Sequence, residues 1–147
     1  IIIIMLNKIS VSKLTYGETY QNANYLVSTP GYEIEFKINE LNDVLAGFIA
    51  VNGVDGACLI TAFNPLGRLV SIDENAKANR LLEDAIVATG LPYFLGQGSD
   101  SKGEWKEDSY LVMGISLEKA QEMGNLYQQN AIVWINKDGL PALEWLR

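Results

Sequence analysis

The sequence predicts an α+β fold, in which a mixed, mostly antiparallel sheet carries about three to four packed helices. Its 147 residues suit a single domain spanning 1–147. Strand-like segments occur in pairs separated by turn residues, as in antiparallel hairpins. Helical segments lie between these pairs without strict strand–helix alternation, which favours an α+β architecture over a doubly wound sheet. We expect Ile1–Ile4, which precede Met5, to be a non-native or disordered extension.

The N-terminal third of the chain predicts a helix, a hairpin and a second helix. Apolar residues at helical spacing indicate a short amphipathic helix over 10–21 and a longer helix that Asn39 would cap and Gly53 would end. Strands over 24–28 and 32–38 form the hairpin, and the second strand alternates apolar with charged residues. The apolar faces are predicted to carry Val11, Leu14, Tyr16 and Tyr20 in the first helix, and Leu41, Val44, Leu45, Phe48 and Ile49 in the second.

The segment 57–63 predicts the central strand of the sheet. It is almost continuously apolar, which is typical of a strand that is buried on both faces. After a turn at Pro65, Ser71 and Glu74 form a capping box, so a helix is predicted to start there and to end near Thr89. The inner face of this helix is predicted to carry Ile72, Ala76, Leu82 and Ile86, with Asn75 and Asn79 at its border.

The C-terminal half predicts four further strands and one helix. Strands are expected over 92–97, 105–115, 131–135 and 140–146, with Ser116 capping a helix between the second and the third. The Gly-Gln-Gly sequence at 96–98 opens no helix and is interpreted as a turn, not as a dinucleotide fingerprint. Alternation along the second strand places on one face Trp105, Glu107, Ser109, Leu111 and Met113.

The composition excludes several classes of function. The chain has no histidine, which excludes histidine-dependent catalytic triads and histidine zinc sites. Its net charge of −7 argues against nucleic acid as a partner, and no segment approaches the ~20 apolar residues of a membrane helix. The single cysteine, Cys58, cannot form an internal disulfide and suits a reducing compartment, so we expect a cytoplasmic protein. The sequence predicts no metal site and no cofactor.

Polar residues gather where the predicted elements end. The end of a central strand and the start of the next helix commonly form the lip of a ligand crevice. Asp73 and Glu74 already occupy the positive end of that helix, which favours a neutral or amine-bearing ligand over a phosphate. The predicted site residues are Thr61, Asn64, Asn75, Asn79, Trp105, Glu107, Ser109, Gln129 and Asn130.

Four short motifs resemble those of the bacterial DUF3293 family, and the likeness runs from about Tyr16 to the C-terminal hairpin. In order, the motifs are Thr61-Ala62-x-Asn64-Pro65, Glu74-Asn75-x-x-x-Asn79, Trp105-x-Glu107-x-Ser109 and Gln129-Asn130-Ala131. The resemblance implies a bacterial or phage protein of the cytoplasm and brings no established activity with it. It also implies that the polar cluster is either a shared site or a shared buried network.

Three interpretations of the polar cluster remain open. The favoured one is a non-catalytic binding or interaction domain, whose partner is a protein or a small polar ligand. The first alternative is a small histidine-independent enzyme, a hydrolase or transferase acting on a polar metabolite, with Glu107 as general acid or base and with Asn64 and Asn75 orienting the substrate. The second alternative is a buried hydrogen-bond network that specifies the fold.

Overall fold

The computed structural model describes residues 11–147, which form four helices packed on one sheet of seven strands, so the α+β prediction is confirmed. In chain order the elements are α1 (Val11–Gln21), β1 (Asn24–Thr29), β2 (Tyr32–Phe36), α2 (Asp43–Val51), β3 (Gly56–Ile60), a 3₁₀ turn (Pro65–Gly67), α3 (Ile72–Thr89), β4 (Tyr93–Ser99), β5 (Lys106–Met113), α4 (Leu117–Leu126), β6 (Ala131–Asn136) and β7 (Pro141–Trp145). The strand order is β2-β1-β4-β5-β3-β6-β7. Every neighbouring pair is antiparallel, so this part of the chain contains no parallel pair of the kind a mixed sheet would have.

The strand β3 lies inside the sheet, between β5 and β6, as its apolar sequence predicts. All five of its residues are buried, because strands flank it on both sides and hydrophobic residues cover both of its faces. The strand is shorter than predicted and ends at Ile60. Residues 61–64 leave the sheet because their backbone groups bond to side chains of α3 and not to a neighbouring strand.

Each face of the sheet has its own hydrophobic core. Successive residues of a strand point to opposite faces, so β3 and β5 contribute to both cores. One face, here called the Leu59 face, carries Leu59 with Leu111 and packs against α2. The opposite face carries Ile60 with Val112 and packs against α3 and α4. This division matters for the site, because the candidate residues come from both sides of the sheet.

The helix α2 begins later than predicted. Its N-cap is Asn42, whose side chain accepts a hydrogen bond from the backbone N–H of Leu45, whereas Asn39 lies in the preceding loop with a φ of 64°. Only Leu45, Phe48 and Ile49 face the core. Leu41, which precedes the helix, and Val44, on its outer side, are 70% and 56% exposed, so including them in the apolar face was wrong.

The helix α3 has the predicted ends but a different inner face. The Ser71 hydroxyl accepts from the backbone N–H of Glu74 at 3.1 Å, and Gly90, with a φ of 75°, ends the helix. Ile72 is 86% exposed and Ala76 is also exposed. The buried residues are Asn75, Asn79, Leu82 and Ile86. Two asparagines therefore take the inward positions that hydrophobic periodicity assigns to apolar residues.

The helix α1 is also turned differently from its predicted face. Val11 and Leu14 are exposed, whereas Ser12 is buried. The aromatic residues explain the orientation, since the ring of Tyr20 stacks on that of Trp145 with centroids 5.5 Å apart and also on that of Tyr16. The prediction for Ile1–Ile4 concerns residues outside the described part of the chain. No helix from Val11 onward is both long and apolar enough to cross a membrane.

Candidate functional site

The loop that follows β3 is held by Asn79. Its Oδ1 accepts from the backbone N–H of Ala62 at 2.8 Å, and its Nδ2 donates to the backbone carbonyl of Asp108 at 2.9 Å. Thr61 adds a second link to the same carbonyl, because its hydroxyl donates to it at 2.6 Å while accepting from the N–H of Phe63. Asn79 and Thr61 thus replace the strand-to-strand hydrogen bonds that β3 lacks beyond Ile60.

A second asparagine pair fixes the middle of the loop. The Oδ1 of Asn75 accepts from the backbone N–H of Asn64 at 2.8 Å, and its Nδ2 donates to Asn64 Oδ1 at 3.0 Å. Asn75 and Asn79 are both buried, and both ends of each amide are bonded to the loop or to β5. These two residues therefore take part in a buried hydrogen-bond network that joins the loop to α3 and β5.

The backbone of the loop is held in unusual conformations. Asn64 and Leu66 have φ values of 47° and 57°, in the left-handed region that a leucine rarely adopts. The segment before β6 supports them, because the N–H of Leu66 donates to the Gln128 carbonyl at 2.7 Å and the Gln129 side chain donates to the Phe63 carbonyl at 3.1 Å. Strain of this kind persists only where surrounding contacts enforce it.

A small cavity of about 50 Å³ opens on the Leu59 face. Five of the nine predicted site residues line it, namely Thr61, Trp105, Glu107, Ser109 and Gln129. The other lining residues are Tyr20, Tyr25, Leu59, Gly98, Ala131, Ile132, Val133 and Leu143. The structure therefore brings together the predicted face of β5 with the ends of β3 and β6. It leaves outside the lining Asn64, Asn75, Asn79 and Asn130.

The carboxyl group of Glu107 belongs to the lining of the cavity. Burial raises its pKa from 4.5 to about 7, although hydrogen bonds from the side chains of Asn64 and Trp105 act in the opposite direction. The bond from Asn64 runs from Nδ2 to Glu107 Oε1 over 3.0 Å. Glu107 is the only charged residue among the described residues that line the cavity. Near neutral pH the carboxyl group is therefore present in both its protonated and its ionised form, so it can release or accept a proton.

The Ser109 hydroxyl lies two residues farther along the same face of β5. The residue is only 4% exposed, and its Oγ is the one buried side-chain oxygen or nitrogen in residues 11–147 without a hydrogen-bond partner. A buried hydroxyl without a partner costs roughly 1–3 kcal/mol. Ser109 thus lines the cavity, and its Oγ, covered by neighbouring atoms, has a hydrogen-bonding capacity that no protein group in this part of the chain uses.

One of the two glycines that were predicted to form a turn, Gly98, lines the cavity. Gly96 and Gly98 lie within β4, so the turn prediction was wrong, and they stand directly opposite Ser109 and Glu107. A Cβ atom at Gly98 would lie 3.2 Å from Tyr25 Cε1. Gly96 lies outside the lining, and a Cβ atom there would lie 2.8 Å from Leu59 Cδ1 and 3.0 Å from Ser109 Oγ. The absence of a side chain at Gly98 therefore leaves space for the cavity, and Gly96 allows Leu59 and Ser109 to pack closely against β4. Two glycines at a spacing of two, beside a polar strand face, were the available signal.

Two tyrosines were also missed. Tyr25 belongs to the alternating buried positions of β1, and its hydroxyl donates to the backbone carbonyl of Tyr20 at 3.1 Å. Burial raises the pKa of both phenols, and the nearby charge of Glu107 adds to the increase. The alternation of β1 could have identified Tyr25. Tyr20 could not be found this way, because its place at the cavity depends on how α1 packs on β7.

Asn130 lies outside the lining of the cavity and bonds to two residues of α1. Its Oδ1 accepts from the hydroxyl of Ser12 at 3.3 Å, and its Nδ2 donates to the hydroxyl of Tyr20 at 3.5 Å. It thereby fixes α1 beside β6.

In the part of the chain that the structure describes, no group of three or more histidine, cysteine, aspartate or glutamate residues could hold a metal ion.

Comparison with known proteins agrees with the motif resemblance. Residues 60–132 match the family described as "Protein of unknown function (DUF3293)". All nine predicted site residues lie within this stretch, as do Gly96 and Gly98. No curated protein and no solved structure matches the chain.

Proposed function

We propose that residues 60–132, which belong to the DUF3293 family, form the centre of a non-catalytic binding domain that holds a small polar ligand in the cavity beside Glu107. One observation carries the proposal. The Oγ of Ser109 is buried at the cavity without a hydrogen-bond partner. A ligand with a polar group would satisfy this hydroxyl and offset the cost of burying it.

The size of the cavity limits what can enter. A cavity that holds a drug-sized molecule has about 300–1,000 Å³, and one water needs roughly 10–15 Å³. A volume of about 50 Å³ therefore admits one small group, such as the end of a side chain or of a small metabolite. The rest of a larger ligand would extend out through the open side.

The asparagine network would keep this cavity in shape before a ligand arrives. Asn64 bonds to Glu107 and is itself held by Asn75, while Asn79 ties the same loop to β5. Side chains that are already fixed lose little entropy on binding, which favours affinity. The network interpretation and the binding interpretation are therefore complementary, since different residues carry them.

A thermal-shift screen with small polar molecules tests the proposal. A ligand at 100 times its dissociation constant adds about 2.7 kcal/mol to the free energy of unfolding, which raises the melting temperature by several degrees. Gly98→Ala should abolish the shift, because its new methyl group would occupy the cavity beside Tyr25. Gly47→Ala is the matched control, since a Cβ atom there meets no other group within 4 Å. Shifts that are equal in all three proteins would refute binding at this cavity.

One observation favours the enzyme as a second candidate. The pKa of Glu107, raised to about 7, lies where a general acid or base works best at neutral pH. A hydrolase or transferase acting on a small polar metabolite would then lose about 10²–10⁴ in turnover in Glu107→Gln while still binding its substrate. A turnover assay with any molecule that the screen identifies decides between the two functions.

The setting that we infer is the cytoplasm of a bacterium or of a phage-infected cell. The single cysteine, Cys58, is a fully buried free thiol. The fold therefore has no internal disulfide that a reducing compartment would break. The net charge of −7 would suit a basic protein as a partner, and the open side of the cavity is where a side chain of such a partner would enter.

A further inference from the structure

We infer that the group held in the cavity is a primary ammonium, and this inference rests on the proposed function. It names the chemical class of the ligand from three features of the lining: its charge, its aromatic rings and its hydrogen-bond acceptors. All three are properties of residues that line one small cavity.

In residues 11–147, the lining of the cavity carries one acidic residue and no basic residue. Glu107 is the only charged residue among the described lining residues, and neither lysine nor arginine is among them. The half-buried carboxylate of Glu107 accepts hydrogen bonds from Asn64 and Trp105, but no cation of this lining compensates its charge. A cationic ligand would supply this compensation, whereas an anionic one would be repelled.

Aromatic rings lie beside the carboxyl group. Tyr20, Tyr25 and Trp105 all line the cavity. The rings of Tyr25 and Trp105 approach one point, since a Cβ atom at Gly98 would lie 3.2 Å from Tyr25 Cε1 and 3.8 Å from Trp105 Cη2. Gly98 pairs directly with Glu107, so this point faces the carboxyl group across the two strands. An ammonium group is attracted to the faces of such rings as well as to the carboxylate.

The oxygen atoms of the lining match the three donors of a primary ammonium. Glu107 and the unpartnered Ser109 hydroxyl each offer an acceptor. Thr61 offers a third, because its hydroxyl oxygen accepts only one hydrogen bond, from the N–H of Phe63, and has a second lone pair. A quaternary ammonium has no N–H group and would leave Ser109 without a partner. A guanidinium spreads its five donors over a planar fork, which is a wider group than a compact ammonium and fits less well in a cavity of about 50 Å³.

The source of the ammonium is either a free small amine or the side chain of a lysine in a peptide. Both carry the same group on a flexible alkyl chain, and both would reach the cavity through its open side. The shared chemistry is therefore a –CH₂–NH₃⁺ end, and the test below separates the two sources.

The test is a titration of the full chain in phosphate buffer with propylamine, followed by the indole N–H signal of Trp105 in NMR spectra. At about pH 8, propylammonium should shift this signal saturably, and 1-propanol, its neutral analogue, should not. Glu107→Gln should weaken the binding at least about tenfold, because a neutral amide replaces the carboxylate. The matched control is Asp108→Asn, the same chemical change at the next residue, which is exposed and outside the lining, and it should bind as the wild type does.

The pH dependence gives a second readout. Lowering the pH from about 8 to about 5.5 should weaken the binding at least about tenfold, since Glu107, whose pKa is about 7, becomes protonated. Tyr20 and Tyr25 are the other titratable residues that line the cavity, and their raised pKa values keep them neutral over this range. The amine remains protonated throughout, as a lysine does.

The outcomes separate this inference from the proposed function. If propylammonium and 1-propanol bind equally and Glu107→Gln changes neither, the cavity binds ligands but the ammonium inference is wrong. If propylammonium does not bind at all, the inference is wrong, and the screen with Gly98→Ala decides the proposed function separately. Binding of both propylamine and Nα-acetyl-lysine amide supports a lysine side chain as the source, and binding of propylamine alone supports a free amine.

Discussion

The Nδ2 atom of Asn64 donates a hydrogen bond to Oε1 of Glu107 over 3.0 Å. The same asparagine side chain accepts from Asn75 in α3, so one residue connects a helix on one side of the sheet with a carboxyl group on the other. Asn64 can do this because its backbone has left the sheet in a left-handed conformation. The stability of the loop and the protonation of Glu107 are therefore linked.

The stability of the protein should fall as the pH rises through the pKa of Glu107. In the folded protein this pKa is about 7, above the ordinary value of 4.5, so the folded state binds the proton more tightly than the unfolded state. The stabilisation is complete below about pH 4.5 and is lost as the pH approaches 7. Glu107→Gln should remove roughly 2–3 kcal/mol of this pH dependence and be the more stable protein at pH 8. Urea denaturation at pH 5 and pH 8 measures the difference, and identical pH profiles would contradict the prediction.

Asn75→Ala should lower the free energy of unfolding by about 1–3 kcal/mol. The substitution removes the partner of the backbone N–H of Asn64 and one partner of its side chain, and a half-buried donor without a partner is costly. Asn125→Ala, at an exposed position of α4, is the control and should change stability by less than about 0.5 kcal/mol. Equal melting curves for the two variants would show that the network contributes nothing.

Ser109→Ala should raise the free energy of unfolding by about 1 kcal/mol in the absence of a ligand, because it removes a buried hydroxyl that has no partner. It should also weaken the binding of propylammonium, which loses an acceptor. Ser116→Ala provides the comparison. Ser116 caps α4 and accepts from the N–H of Lys119, so its loss should lower the free energy by about 1 kcal/mol. A destabilised Ser109→Ala variant would mean that the hydroxyl is satisfied in the empty protein.

Leu66→Gly should be more stable than Leu66→Ala by about 1 kcal/mol. Leu66 has a φ of 57°, which glycine adopts without the steric cost that a Cβ atom brings. At Leu69, which is exposed and has an ordinary φ, the order should be reversed, with alanine favoured by about 0.5–1 kcal/mol. Thermal denaturation of the four variants measures both differences, and the same sign at both positions would contradict the strained backbone.

The thiol of Cys58 should not react in the folded protein. The residue is fully buried in β3, and burial raises the pKa of its thiol well above the ordinary value. Its reaction with a disulfide reagent at pH 8 should be slower by at least about a thousandfold than in denaturant, since the chain must first unfold. Rapid modification without unfolding would show that β3 opens locally.

Much of the fold follows from local signals in the sequence. The apolar run of 57–63 predicted a strand inside the sheet, and the Ser71 cap and Gly90 predicted both ends of α3. These features depend on neighbours in the chain, which the sequence displays directly. The alternation along 105–115 likewise predicted that Trp105, Glu107 and Ser109 share a face.

The errors have one physical origin, which is that pairing across strands and packing across layers are not visible in local patterns. Hydrophobic periodicity placed Ile72 and Ala76 inside, yet α3 turns Asn75 and Asn79 inward because the loop after β3 needs their amides. The pairing of β4 with β5 places Gly98 opposite Glu107. The number of residues between the two strands does not determine this register. Nothing in the sequence therefore separated the residues that line the cavity from those that hold the loop.

The position of β3 between β5 and β6 has a consequence for synthesis on the ribosome. The hairpins β1–β2, β4–β5 and β6–β7 can each close as soon as they emerge, because their strands are neighbours in the chain. The wholly apolar β3 emerges early, but its partner β5 is made only after α3 and β4, and its partner β6 only after α4 as well. During that interval the two edges of β3 are unpaired and its hydrophobic side chains are exposed, so the segment can associate with other nascent chains. We expect this segment of the growing polypeptide to need shielding by a chaperone that binds exposed apolar chain at the ribosome.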